Sequence, residues 1–333
     1  MPRTPAPIVN PFPGLRPFHA AEDFLFFGRE NQVNTMVDKL ARTRLLAVVG
    51  SSGSGKSSLV NCGLRPGLHR GLMAAAGTSW HVAQFRPGGN PIRSMARALA
   101  ANGVLFSGFD APGISLADMV EATLRMSKLG LVDIFQQAPL PEGTNLLVVA
   151  DQFEELFRYR SVGDSAAQNQ QARAQDAIAF VNLLLEAGEQ RESPIYVVLT
   201  MRSDFLGDCA LMPGLPEAIN EGQYLVPRMT RHELRSAIAG PVRVGGAEIN
   251  PVLLTRLVND VGDNPDQLSI LQHALNRTWA RWQNEGGGKG PLDLAHYEEI
   301  GTMTNALDQH AEKAYAELTT PEARRVCELI FKA

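Results

Sequence analysis

The sequence feature that most constrains the fold is a glycine-rich loop that matches the pattern GxxxxGK[ST]. Its residues are Gly50, Ser51, Ser52, Gly53, Ser54, Gly55, Lys56 and Ser57. It follows the apolar run at 45–49, typical of a buried strand of a parallel sheet, and precedes a helical pattern at 56–64. Glycines let backbone N–H groups surround phosphate oxygens, and a helix N-terminus adds partial positive charge. This context favours a phosphate-binding loop over a flexible Gly/Ser turn, with Lys56 reaching the β- and γ-phosphates and Ser57 binding Mg²⁺.

Three further segments have the pattern of strands, and the last two are continuous apolar runs typical of buried strands. They lie at 80–85, 145–150 and 194–201. Between them, helical patterns lie at 91–102, 115–131 and 176–187, and a polar, alanine-rich loop lies at 161–175. This alternation over 30–205 predicts an α/β domain with a mainly parallel sheet flanked by helices. After about residue 225 the apolar spacing is helical and no convincing strand is present, so an all-α region is expected to follow, with its first helix ending at Pro241.

Composition narrows the class of protein. With 333 residues, 44% of them hydrophobic and 20% charged, the chain is long enough for two soluble domains. The net charge of −4 argues against nucleic acid as a partner. Cys62, Cys209 and Cys327 are far apart in the sequence, which excludes a structural zinc site or disulfide framework and favours the cytoplasm. No apolar run is long enough to span a bilayer, and the N-terminus has no signal-peptide pattern.

A carboxylate that organises Mg²⁺ is expected at the end of a strand neighbouring the loop strand. Asp151 directly follows the apolar run at 146–150 and fits this role; the alternative is an N-cap of the next helix. The following residue, Gln152, stands where many P-loop hydrolases have a glutamate, which argues against fast turnover. Glu154 and Glu155 are candidates for the catalytic base, and a plain surface role is the alternative for each.

Other candidate residues lie at strand and helix ends. Arg202 ends the last buried strand, where a guanidinium can sense the γ-phosphate; pairing with Asp204 or another surface acid is the alternative. Phe26 and Phe27 precede a glycine at a helix start, and they either line an adenine pocket or pack the N-terminal arm. In the helical region, His273 is interpreted as a structural residue.

Five sequence blocks occur in order along the chain. They are NPFPGLRPFHAAEDFLFFGRE, VVGSSGSGKSSLV, LLVVADQFEELF, VVLTMRSDFLGD, and the pair AIAGPV and LSILQHALNRTW. Together, from about Asn10 to the last residue, they resemble the novel STAND NTPases, signal-transduction ATPases with numerous domains that are related to AAA+ proteins. The resemblance implies a P-loop NTPase fold, followed by an all-α lid and the start of a winged-helix-like domain.

The resemblance also implies site residues and domains. The implied nucleotide-binding residues are Phe27, Gly28, Arg29, Gly50, Ser51, Ser52, Gly53, Ser54, Gly55, Lys56, Ser57, Ser58 and Pro241. Asp151 would organise Mg²⁺, and Thr200 and Arg202 resemble the strand-end sensor. The predicted domains are a Pro-rich arm packing on the core at 1–28, a nucleotide-binding domain at 29–225, a lid at 226–300 and the winged-helix start at 301–333.

The function implied by the resemblance is an ATP/ADP-binding molecular switch with slow Mg²⁺-dependent hydrolysis. Nucleotide would control opening and self-association, and sensor or effector regions would follow this segment; bacterial conflict or anti-phage signalling is implied by the family alone. The alternatives are an AAA+ remodelling ATPase, a DNA-loading ATPase with a winged helix, and a scaffold that binds nucleotide only for stability.

Overall fold

The computed structural model describes residues 10–101, 103–106, 113, 115–161, 167–262 and 267–332. The first nine residues of the predicted arm, part of the polar loop predicted at 161–175, and Ala333 lie outside the described residues. The chain divides into two compact units. The sheet unit contains the described residues of 29–52 and 56–227, and the helical unit contains those of 1–28, 53–55 and 228–333.

The sheet unit is built on five parallel strands. The strands are β1 (Leu45–Gly50), β2 (Trp80–Phe85), β3 (Asn145–Ala150), β4 (Ile195–Arg202) and β5 (Gln223–Leu225). Their order across the sheet is β2-β3-β4-β1-β5, and every neighbouring pair is parallel. The loop strand β1 therefore has β4, and not β3, as its neighbour, with Leu45 opposite Val197. The parallel α/β fold predicted from the sequence is confirmed.

The central strands are apolar on both faces because helices cover both. The helices of the unit are α1 (Glu30–Thr43), α2 (Lys56–Ser58), α3 (Arg65–His69), α4 (Pro91–Leu99), α5 (Leu116–Met126), α6 (Gly130–Gln137), α7 (Glu155–Ser161), α8 (Ala167–Glu189) and α9 (Leu215–Gly222). Leu45, Ala47 and Val49 share a core with residues of α4, α5, α6, α8 and α9. The alternate residues Leu46 and Val48 are equally buried, and α1 and α2 also contact β1.

Three features of this unit differ from the sequence-based predictions or have no counterpart in them. The short edge strand β5 has too few residues to give a pattern. The predicted helix at 56–64 is interrupted by a π-helical segment, Leu59–Leu64, in which the Arg65 N–H bonds to the Val60 carbonyl. This register accommodates Pro66, which has no N–H to donate. The single helix predicted over 115–131 is two, because extended backbone at Ser127 ends α5. Gly130 then packs so closely on α5 that a Cβ there would be 2.6 Å from the Thr123 carbonyl oxygen.

The helical unit has one apolar core. Its helices are α10 (Arg231–Val244), α11 (Pro251–Val261), α12 (Gln267–Gly286), α13 (Leu294–Glu299), α14 (Thr302–Ala316) and α15 (Pro321–Lys332). Trp279, Trp282 and Tyr297 are fully buried in the core, to which α14 also contributes. Among the described helices, none is long and apolar enough to cross a membrane.

The arm and the end of α10 both pack into the core of the helical unit. In the arm, Phe12 packs edge-on against Trp279 with ring centroids 6.2 Å apart, and packing of the arm on the nucleotide-binding domain stays a prediction. Asn10 and Asn276 fix this placement through hydrogen bonds to each other's segments. The sequence also indicated that Pro241 ends a helix, whereas α10 continues to Val244 because its apolar face continues through Val242 into the core.

Candidate functional site

The glycine-rich loop joins β1 to α2 with a backbone that only glycine adopts readily. Gly53 and Gly55 have φ angles of 70° and 86°, and a Cβ on Gly55 would find no atom within 4 Å. Lys56 begins α2, and its ammonium donates to the carbonyl oxygens of Gly50 at 3.1 Å and Ser51 at 2.7 Å. The local structure is therefore a strand, a glycine turn and a helix N-terminus, as a phosphate-binding loop requires.

Burial and neighbouring charges both act on this lysine. Removal from water lowers the pKa of the Lys56 ammonium, and the positive charge of Arg202 lowers it further. Three carboxylates oppose that shift, and Glu154 acts more strongly than Asp151 or Asp204. Lys56 thus lies among acidic side chains that follow β3 and β4.

Three side chains from different elements meet at one carboxylate oxygen. The Ser57 hydroxyl donates to Asp151 Oδ1 at 2.8 Å, and the Thr200 hydroxyl donates to the same oxygen at 2.5 Å. Asp151 was expected on a strand next to β1, but β4 lies between β1 and β3, and its residue Thr200 bridges the gap. Asp151 is only 7% exposed, so these hydrogen bonds fix a carboxylate that is largely withdrawn from water.

The backbone after Asp151 excludes the alternative of a simple helix N-cap. Helix α7 begins only at Glu155, and Gln152 has a left-handed φ of 57°. The Gln152 N–H donates to Thr200 Oγ1 at 3.0 Å, and the Phe153 N–H donates to the Thr200 carbonyl at 2.8 Å. The Asp151 side chain therefore contacts the loop helix and β4 instead of capping α7.

The two candidate bases lie in different surroundings. Glu154 is 6% exposed and accepts from the Arg202 backbone N–H at 3.4 Å. Glu155 accepts from the Gly88 N–H at 3.0 Å, in the loop that follows β2. The surface role considered for Glu154 does not apply to a buried side chain.

The Arg202 side chain pairs with a neighbouring acid. Its Nε and a terminal guanidinium nitrogen donate to the two Asp204 carboxylate oxygens at 3.0 and 2.6 Å. This is the pairing that the sequence offered as the alternative to a phosphate sensor. Both side chains reach solvent, and an exposed pair of this kind contributes little to stability.

The residues expected to contact the nucleotide base, adenine, lie in two segments. In the helical unit, a Cβ on Gly28 would be 2.4 Å from the Glu233 carbonyl oxygen, and one on Gly240 would be 2.4 Å from the Phe27 ring. Phe27 and Gly28 thus pack tightly on α10, the helix that contains Pro241. Arg29, in the sheet unit, is buried and donates to the Pro227 carbonyl oxygen at 2.8 Å.

The remaining implied residues lie along the loop. Gly50 ends β1, the stretch 51–55 forms the turn, and Ser58 ends α2. Their contacts with nucleotide stay predictions. What sequence reasoning missed is that Thr200 holds Asp151; the signal was a hydroxyl residue near the end of an otherwise apolar strand.

The chain resembles known proteins at two levels. The family model described as Novel STAND NTPase 1 matches residues 11–333. No curated protein sequence matches the chain.

Solved structures show the same fold at low sequence identity. The ORC2 protein of Aeropyrum pernix in ADPNP–ADP complexes aligns with a TM-score of 0.55 and 12% identity, over 81% of this chain and 67% of that chain. The ADP form of the same protein aligns with a TM-score of 0.51 and 13% identity, over 82% of this chain and 68% of that chain. The ORC1 protein of the same organism, in complex with DNA, aligns with a TM-score of 0.49 and 14% identity, over 82% of this chain and 64% of that chain. The chain spans about two thirds of the length of these solved chains, and the likeness to the two ORC2 structures shows a shared fold.

Proposed function

This chain belongs to the novel STAND NTPase 1 family, and we propose that it is an ATP- and ADP-binding molecular switch with slow Mg²⁺-dependent hydrolysis. The observation that carries the proposal is the meeting of Ser57, Asp151 and Thr200 beside the lysine of the glycine-rich loop. Each group comes from a different element, so the fold itself assembles the cluster.

The donor set fits a magnesium ion. Mg²⁺ prefers oxygen ligands, and in nucleotide sites it is commonly held by one or two carboxylates together with phosphates and water. The Ser57 hydroxyl and the Asp151 carboxylate are such donors, already 2.8 Å from each other. When bound, the ion would neutralise charge on the β- and γ-phosphate oxygens.

The remaining parts of the nucleotide have their own candidate residues. Lys56 binds the β- and γ-phosphates, and the backbone of 50–58 surrounds the phosphate oxygens. Arg202 senses the γ-phosphate by leaving Asp204, because a phosphate offers the same bidentate acceptor geometry as a carboxylate. The nucleotide base is bound by Phe27, Gly28, Arg29 and Pro241. The packing of Phe27 and Gly28 on α10 supports this proposal.

The switch follows from differential binding. ADP favours one conformation and ATP another, and the nucleotide shifts the balance only through contacts that differ between them. Gln152 has no carboxylate, which supports slow turnover, well below about 1 per second, and long-lived nucleotide states. In the ATP state the protein self-associates and signals through sensor or effector regions; the setting is cytoplasmic, in bacterial conflict or anti-phage defence.

The central test is nucleotide binding by calorimetry. Lys56→Ala removes the ammonium that binds the terminal phosphates, so we expect no measurable ATP binding by this variant. Lys128→Ala is the matched control, because its ammonium is exposed and pairs with Glu186 away from the loop. Affinity for ATP that is equal in the wild type and Lys56→Ala would refute the proposal.

The alternatives give different results in three assays. A DNA-loading ATPase would shift DNA in gels with a steep salt dependence, which the net charge of −4 disfavours. A remodelling ATPase would form rings and hydrolyse ATP quickly when substrate is added. A nucleotide-stabilised scaffold would give the same X-ray scattering in its apo, ADP and ATP states.

A further inference from the structure

We infer that Asp204 determines how strongly the site prefers ATP over ADP, because its carboxylate competes with the γ-phosphate for the guanidinium of Arg202. The inference rests on the proposed function, in which Arg202 contacts the γ-phosphate of bound ATP. It gives Asp204 a role of its own, as a specificity-determining residue that weakens the binding of ATP and leaves the binding of ADP nearly unchanged.

The first argument is the position of Arg202 beside the glycine-rich loop. In the parallel pairing of β1 and β4, Arg202 lies opposite Gly50, the residue at which the loop begins. The Lys56 ammonium donates to the Gly50 carbonyl oxygen at 3.1 Å. Burial lowers the pKa of this ammonium, the charge of Arg202 lowers the pKa further, and the charge of Asp204 opposes the shift. The guanidinium and the Asp204 carboxylate are therefore both within electrostatic reach of the residue that binds the terminal phosphates.

The second argument is the geometry of the ion pair. Arg202 Nε donates to Asp204 Oδ1 at 3.0 Å, and a terminal guanidinium nitrogen donates to Oδ2 at 2.6 Å. Two such hydrogen bonds from one edge of a guanidinium are also the contact that an arginine makes with a phosphate group. Asp204 thus occupies this edge and balances its charge, so a bidentate contact through the same edge requires the carboxylate to leave.

The third argument is that the pair can open. Arg202 is the last residue of β4, and Asp204 lies in the 3₁₀-helical segment Ser203–Leu211 that follows it. The side chains of Arg202 and Asp204 are 35% and 53% exposed. An ion pair in contact with water is weak, whereas a buried pair would resist separation. Asp204 is therefore a competitor that the γ-phosphate can displace.

The fourth argument concerns the surroundings of the carboxylate. Hydrogen bonding to Arg202 lowers the pKa of the Asp204 carboxyl, and the charges of Arg202 and Arg158 lower it further. The guanidinium carbons of Arg158 and Arg202 lie 5.4 and 5.7 Å from the centroid of the Phe205 ring. Positive charge therefore remains beside Asp204 when Arg202 turns to the γ-phosphate. The carboxylate stays ionised and takes the arginine back when ADP replaces ATP.

The test compares Asp204→Asn with the wild type by calorimetry with Mg²⁺, titrating ADP in one series and a non-hydrolysable ATP analogue in the other. Asparagine keeps the size of the side chain and removes the charge that holds Arg202. Affinity for the ATP analogue should rise about 3- to 10-fold, because a weak pair no longer withholds the arginine, whereas affinity for ADP should change by less than about twofold. The readout is the ratio of the dissociation constants for ADP and the analogue.

Two further variants control for charge. Asp204→Glu retains the carboxylate and should keep the ratio within about twofold of the wild type. Asp208→Asn removes an equal charge from the same 3₁₀-helical segment and should also leave the ratio unchanged. An equal rise of the ratio in Asp208→Asn, or no rise in Asp204→Asn, overturns the inference and leaves nucleotide binding standing.

A double-mutant cycle separates competition for Arg202 from general repulsion of phosphates. Arg202→Gln should weaken binding of the ATP analogue more than binding of ADP. Asp204→Asn added to Arg202→Gln should then change the ratio by less than about twofold, because no guanidinium is left to release. The same rise with and without Arg202 overturns the inference, since Asp204 would then act through its charge alone. An unchanged ratio in Arg202→Gln overturns both the inference and the sensor role of Arg202, whereas failure of the wild type to bind either nucleotide overturns the proposed function as well.

Discussion

The carboxyl edge of the sheet and the core of the helical unit both bury polar atoms, but they satisfy them differently. At the sheet edge, Asp151 and Thr200 bond to each other and to groups from neighbouring elements. In the helical core, Trp279 Nε1 and His273 Nε2 have no hydrogen-bond partner among the described residues. At the sheet edge the hydrogen bonds hold a buried carboxylate in place, whereas in the helical core these two ring nitrogens are buried together with the apolar side chains that surround them.

The largest effect should follow from truncation of the helical core. Trp279→Ala removes a fully buried ring that packs against Phe12 and Trp282, and such truncations cost about 3–5 kcal/mol in free energy of unfolding. The measurement is denaturant unfolding followed by circular dichroism.

Two variants serve as controls for that truncation. Val252→Ala alters an exposed side chain of the same unit and should change stability by less than about 0.5 kcal/mol. Trp279→Phe should cost less than Trp279→Ala, since it keeps a ring and removes an N–H that has no hydrogen-bond partner in the part of the chain that the structure describes. A loss from Trp279→Ala no larger than that from Val252→Ala would contradict the view that this core depends on apolar burial.

An intermediate effect is expected at the sheet edge. Thr200→Val keeps the shape of the side chain but removes the hydroxyl that donates to Asp151 and accepts from Gln152. The free energy of unfolding should fall by about 1–3 kcal/mol, because a buried carboxylate and a backbone N–H each lose a hydrogen-bond partner. Affinity for ATP should fall about 10- to 100-fold more with Mg²⁺ present than with EDTA, as for other groups that orient a metal ligand.

The control at this position is Thr200→Ser, which retains the hydroxyl and should retain most of the Mg²⁺-dependent affinity. Calorimetry of ATP binding with and without Mg²⁺ measures the difference. An equal loss of affinity under both conditions would mean that Thr200 supports the fold of the edge and does not orient the carboxylate for a metal ion.

Sequence alone gave the local elements of the site but not their arrangement. The glycine-rich loop, the buried strands and Asp151 were visible because a strand–loop–helix context and apolar runs are local patterns. The insertion of β4 between β1 and β3 was not visible, because strand order depends on contacts between distant segments. For the same reason, the sequence could not predict that the adjacent residues Glu154 and Glu155 accept hydrogen bonds from opposite sides of β3, from the end of β4 and from the loop after β2.

The smallest effect concerns the pH dependence of the helical core. Burial lowers the pKa of the His273 imidazole in the folded protein, a hydrogen bond with the Ala306 backbone partly opposes this, and the charges of His310 and Arg277 lower the pKa further. Below about pH 6.5 the unfolded chain therefore binds more protons at this position than the folded chain, so stability falls as the pH falls. Unfolding free energies at pH 7.5 and 5.5 should differ less in His273→Leu than in the wild type, whereas His232→Asn, an exposed histidine of the same unit, should keep the wild-type difference. An unchanged difference in His273→Leu would mean that a group other than His273 determines the acid sensitivity of this core.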